Sequence, residues 1–303
     1  MNFKIIFVLI VGIISISLSA IFIRMCSDMP SLSIAVFRLV IASSILIAVS
    51  FFKKNKFKKI EKKDFRLMVL GGFFLAFHLI AWITSLKYTS VANSVALVTT
   101  NPVFVGLFSV LFLKRRLEKE IILGIFLSVL GSFLISRGYS GASIETANHV
   151  FGDILAILGA VFASGYLLIG SIVRERIDTF EYITVIYTIT SVILVFISIF
   201  ASFTIFKGQN LFFGFSLKSY FFVFLLAVVS QLLGHTSFNY SLKFLKPDFV
   251  AITILGEPIG ASFFAYVFFG EKVSLIQVSG MILIFLAVII SSKKGTRVEE
   301  IVD

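Results

Sequence analysis

The sequence predicts an all-α membrane protein in which ten transmembrane helices form two inverted five-helix repeats. Three observations predict it. The 303 residues are 58% hydrophobic and 14% charged, with a mean hydropathy of +1.06, which is more apolar surface than a soluble domain can cover. A stretch of the first half, Ser85–Gly124, aligns without a gap with Ser241–Gly280 of the second half, at an offset of 156. The basic residues gather in alternate connections between apolar runs, as they do where loop charge sets topology.

The apolar runs fall at about 4–23, 32–52, 67–86, 93–113, 120–136, 151–173, 180–204, 219–242, 249–269 and 274–292, most of them near the ~20 residues that a bilayer demands. The first contains Ser17-Leu18-Ser19, which has the look of a signal-peptidase site. Gly12 and Ser17 return as Gly159 and Ser164 at an offset of 147, so the run reads as the first span of the first repeat and no cleavage is expected. The second and third spans flank Lys53–Arg66, a basic stretch read as a solvated cytoplasmic loop beside anionic headgroups. The fourth and ninth spans are the heart of the echo. SLK opens each stretch, and Pro102 falls on Pro258, Phe108 on Phe264, Phe112 on Phe268 and Gly124 on Gly280. Asn101 precedes one proline and Glu257 the other. Residues 138–150 form an outer linker between repeats at 1–137 and 151–292, and 293–303 form a cytoplasmic tail.

Five spans per copy force the second copy to insert upside down. Inverted copies place a site near the midplane where they meet, and exchanging their conformations moves the opening from one face to the other. With the N-terminus inside, 20 of the 27 lysines and arginines lie on the inner side, six lie on the outer side, and Arg38 lies within a span. Both termini are therefore expected in the cytoplasm, and the expected location is the cell membrane. The net charge of +11 does not point to nucleic acid, because it is spread over these loops. Cys26 is the single cysteine, which excludes an internal disulfide and a cysteine metal site. No cofactor is expected.

Leu255-Gly256-Glu257-Pro258, then Phe268-Phe269-Gly270-Glu271-Lys272, together with Phe37-Arg38-Leu39, resemble the pattern of EamA-type members of the drug/metabolite transporter superfamily. The resemblance runs from about Ile5 to Ser291, so each half is EamA-like. Lys114-Arg115 stand where the family often has Gly-Glu. The resemblance implies export or import of small metabolites such as amino acids, by ion coupling or exchange. It does not imply a particular substrate.

Polar residues inside apolar spans are the candidate site, because each costs free energy to bury in lipid. Glu257 lies nine residues past Asp248, about 14 Å into a core of ~30 Å. It is the candidate coupling residue, binding a proton or a substrate ammonium; the other reading is a hydrogen-bond acceptor at the Pro258 break. Arg38 either snorkels outward or holds a carboxylate, a phosphate or an acidic side chain. Gln231, His235 and Asn239 recur every four residues and form one polar stripe. His78 and Trp82 share a face of the third span, and Asn101 is the counterpart of Glu257. Tyr166 and Tyr187 are candidate aromatic walls. Thr99 and Thr100 sit where proline frees a carbonyl, and are expected to bond backbone.

The function expected is a secondary active transporter moving a small organic metabolite, amino acid-like, by alternating access, through proton coupling or exchange. The alternatives are a passive channel or facilitator, and a carrier of nucleotide-type or sugar-phosphate solutes. An enzyme is not expected, since the 16 acidic residues lie almost all in loops. The partners expected are a small-molecule substrate and the lipid bilayer, without nucleic acid. Spans five and ten are peripheral and offer a surface for a homodimer.

Overall fold

The computed structural model describes residues 3–52, 60–89, 91–137, 149–206, 210–270 and 273–295. Most of the linker, the tail from 296, Lys53–Lys59, Glu271 and Lys272 lie outside the described residues. Helical segments follow one another along the chain. They are α1 (Phe3–Ser17 and Ser19–Met25), α2 (Ser31–Phe52), α3 (Lys62–Tyr88), α4 (Val91–Val98 and Asn101–Leu113) and α5 (Lys119–Arg137). Then come α6 (His149–Val173), α7 (Thr179–Thr204), α8 (Leu217–Ser241), α9 (Pro247–Ile254 and Gly256–Phe269) and α10 (Leu275–Ser292). Among the described residues, nine of these rods are long and apolar enough to cross a membrane. The other is α5, which carries Lys119 and Glu120 in its first turn and Arg137 in its last.

Two breaks follow from proline. Pro102 enters the first turn of the second half of α4, where it has no N–H to give to the preceding turn. The helix turns at Thr99-Thr100, whose hydroxyls donate to the carbonyls of Val95 (2.6 Å) and Leu97 (2.7 Å). This is the backbone role expected of them. The counterpart helix α9 turns at Leu255, just ahead of Pro258. A third break, at Leu18 of α1, has no proline behind it. In α8 the stretch Leu226–His235 widens to a π-helix, in which each N–H reaches back five residues instead of four.

The basic stretch before α3 differs from expectation. From Lys62 onward it is helical, so α3 starts before the apolar run does. Asp64 stabilises that first turn against the helix dipole. Arg176 donates to it through Nε (3.2 Å) and Nη2 (2.5 Å). Arg174, in the connection after α6, is buried. Its Nε donates to the Asn239 carbonyl at 3.1 Å, and its other nitrogens reach the Ile177 carbonyl and the Thr179 hydroxyl.

The helices pack in exchangeable pairs. α1 packs on α8 as α6 packs on α3, and α4 packs on α6 as α9 packs on α1. α2 meets α7, and α5 meets α10. Glycines show that the residues correspond too. A Cβ on Gly159 would touch Trp82, and one on Gly12 would touch Phe238; these are the same pair displaced by 147 and 156. Along α5 and α10, Gly131 lies against Gly280 while Gly124 lies against Ala287 and Ser291, so the two helices run antiparallel.

Candidate functional site

The breaks of α1, α4 and α9 border one cavity, and serines tie them across the halves. Ser164 of α6 donates to the carbonyl of Asn101 at 3.0 Å. Ser17 of α1 donates to the carbonyl of Glu257 at 3.3 Å. Ser17 and Ser164 are counterparts, as are Asn101 and Glu257, so these are one contact made twice. Each serine also bonds the carbonyl four residues back, Ile13 (2.7 Å) and Ala160 (2.7 Å).

Between the breaks lies a cavity of about 610 Å³, its mouth included. Its wall contains His78, Trp82, Asn101, Tyr166, His235 and Glu257, six of the residues singled out in the sequence, with Ser19, Thr99 and Phe238 beside them. Trp82 and Phe238 are counterparts in the two repeats, so each repeat gives the cavity a related aromatic side chain. His78 stacks on Trp82, with ring centroids 6.1 Å apart and planes 5° from parallel. His78 Nδ1 lies 2.9 Å from the Gly159 carbonyl. A carbonyl can only accept, so Nδ1 carries the proton and Nε2 of the neutral ring is left as an acceptor. His235 lies 6.3 Å from the His78 ring and 6.4 Å from Tyr166.

Glu257 is 7% exposed, and among the described residues no side chain hydrogen-bonds its carboxylate. The Asn101 carbonyl-type oxygen and the Trp82 Nε1 are likewise buried without a partner among the described residues. Such groups are costly in a dry interior and inexpensive beside a polar solute.

The other four candidates stand behind the wall. Arg38 is fully buried, so it does not snorkel. Its Nε donates to Gln231 Oε1 at 2.8 Å, while Nη1 and Nη2 have no partner among the described residues. Its charge acts on Glu257 without a direct ion pair. Asn239 Nδ2 donates to the hydroxyls of Tyr166 (2.5 Å) and Tyr187 (3.3 Å). Tyr187 in turn lies 3.5 Å from the Gln231 carbonyl and 3.4 Å from the Thr236 hydroxyl. Tyr166 therefore joins the wall to this inner network, whereas Tyr187, Arg38, Gln231 and Asn239 hold it from behind.

The polar stripe on α8 faces protein and cavity along its length: Gln231 accepts from Arg38, His235 lines the cavity and Asn239 donates to Tyr166 and Tyr187. Sequence reasoning missed the paired serine contacts. The 147 offset that aligns Ser17 with Ser164 was the signal available for them.

The chain matches the EamA-like transporter family over residues 3–137 and 150–293. It is 24% identical to the uncharacterized transporter YxxF of Bacillus subtilis, over 91% of this chain and 88% of that one. It is 24% identical to the pseudopaline exporter CntI of Pseudomonas aeruginosa, over 89% of each. Its 27% identity to the uncharacterized transporter YetK of Bacillus subtilis spans 46% of this chain and 43% of that one. A solved crystal structure shares the fold, with a TM-score of 0.77 at 14% identity, over 97% of this chain and 98% of the other.

Proposed function

The chain belongs to the EamA-like transporter family and is an integral multi-pass membrane protein; on that premise we propose that it is a secondary active transporter working by alternating access. The solute is a small, amino acid-like metabolite, carried across the cell membrane with proton coupling or in exchange. All ten helices cross the bilayer, and the two repeats are inverted with their termini in the cytoplasm. The antiparallel pairing of α5 with α10 supports that inversion.

One observation carries the reading. An acidic side chain without a hydrogen-bond partner among the described residues faces a cavity where two equivalent helix breaks meet. Glu257 accepts either a proton or the solute's ammonium group. The Arg38 charge behind the wall offsets it, so the pair is neutral while the carboxylate is ionised. A zwitterion adds no net charge to that arrangement. A sugar phosphate would need the Arg38 nitrogens in the wall, and they lie behind it.

Reconstitution into proteoliposomes tests this. Labelled amino acids and amines should show saturable counterflow, with a rate that responds to an imposed pH gradient. Glu257→Gln should retain exchange and lose the response to the gradient. Flux that never saturates would indicate a channel, and a fully coupled Glu257→Gln would remove Glu257 as the coupling site.

A further inference from the structure

The two ends of the α4–α9 crossing are built differently. The second half of α4 packs on the first half of α9 at the lysine-rich face, and the first half of α4 packs on the second half of α9 at the opposite face. At the lysine-rich face, Ser109 Oγ donates to Asp248 Oδ1 at 2.9 Å, and both residues are buried. The repeat register states what stands at the equivalent places of the opposite face. Ser109 falls on Ala265, and Asp248 falls back on Ala92. Neither alanine has a polar group, so this pair of positions carries a hydrogen bond to a carboxylate at the lysine-rich face and cannot carry that bond at the other.

We propose that Ser109 and Asp248 form a gate latch that biases the carrier towards the conformation closed at its lysine-rich face. The inference rests on the alternating-access reading above. In an inverted-repeat carrier, the fourth helices must part at one face and then at the other. Two equal crossings would leave the two conformations balanced as far as this contact goes. Hydrogen bonds to ionised groups are the stronger class, so an unequal crossing shifts the population towards the face that is bonded. Val105 lies one turn from Ser109 on the same face of α4, fully buried, and becomes reachable when that face opens.

The test uses the full chain with Cys26→Ser and Val105→Cys, in inside-out membrane vesicles treated with a membrane-impermeant maleimide. Adding Ser109→Ala should raise the labelling rate about tenfold, equivalent to ~1.4 kcal/mol of population shift. Ser109→Thr keeps the hydroxyl and should label at the parental rate, which separates the bond from packing. Ala265→Ser with Ala92→Asp builds the same bond at the opposite face and should also raise labelling. Equal labelling in the parent and in Ser109→Ala overturns the latch. If the parent meanwhile shows saturable counterflow, the carrier reading stands without it. Loss of saturable counterflow in the parent overturns that reading itself.

Discussion

Arg38 and Gln231 allow stability and function to be separated at one bond. The Arg38 guanidinium is fully buried, and its recorded hydrogen bond is the one from Nε to Gln231 Oε1, at 2.8 Å. Gln231→Leu preserves volume and removes that acceptor. A hydrogen bond to a charged group contributes about 1.5–3 kcal/mol. The loss should lower the melting temperature of the detergent-solubilised protein by roughly 3–12 °C, at ~2–4 °C per kcal/mol for a chain of this order. Arg38→Met alone should cost less, because the stranded group is then a neutral amide. Arg38→Met with Gln231→Leu replaces both partners by apolar ones and should recover most of the loss, since the penalty lies in leaving one partner unmade. The double variant should still fail in counterflow, because the positive charge behind Glu257 is gone. A double variant no more stable than Gln231→Leu would refute the reasoning, and so would a single variant that melts with the parent.

Two further outcomes follow from contacts away from the site. A Cβ on Gly131 would stand 2.6 Å from the Gly280 carbonyl, and one on Gly280 would stand 2.5 Å from the Gly131 carbonyl. Backbone cannot rotate away, so Gly131→Ala and Gly280→Ala should each cost about 1–3 kcal/mol by overpacking, read as a fall in melting temperature; no fall would mean that α5 and α10 lie further apart. On the loop between α1 and α2, the Ser219 hydroxyl first, then the Ser216 N–H, pull Asp28 from its ordinary value down to about 2. A lowered carboxylate stabilises the folded state above its unfolded value and loses that contribution as pH falls through the folded one. The group is solvent-exposed and the effect correspondingly small. The difference in melting temperature between the parent and Asp28→Asn should hold steady above pH ~4 and shrink below it; a difference already gone at pH 6 would contradict the assignment.

Most of the helical order was legible because its signal is long and redundant. Twenty or so apolar residues bounded by charge mark a rod whatever its neighbours do. Proline marked the turns in α4 and α9, because a missing N–H acts locally. The π-helical stretch of α8 was not legible. Leu226–His235 contains no proline, and nothing in its residue types marks a shift from bonds four residues back to bonds five residues back. Arg174 lies in the connection where the charge count put it, but a loop-charge count carries no burial, and cannot see that the Asn239 carbonyl waits for this residue. The face of α2 that bears Arg38 was also beyond sequence, since apolar residues surround that arginine on every side of its helix.

The serine pair shows where register adds what residue type cannot. A serine in an apolar helix by default bonds the carbonyl four residues back, and Ser17 and Ser164 both do so. Nothing in either helix alone suggests a second acceptor. The duplication supplies it. If α1 and α6 are one element used twice, a contact made by one is expected of the other, and the partners must be related as the helices are. Asn101 and Glu257 satisfy that condition through their backbone carbonyls, while their side chains differ. The backbone contact is therefore indifferent to which side chain stands there. That indifference leaves one copy free to carry an amide and the other a carboxylate, so a symmetric frame can hold an asymmetric site with the acid Glu257 in the wall of its cavity.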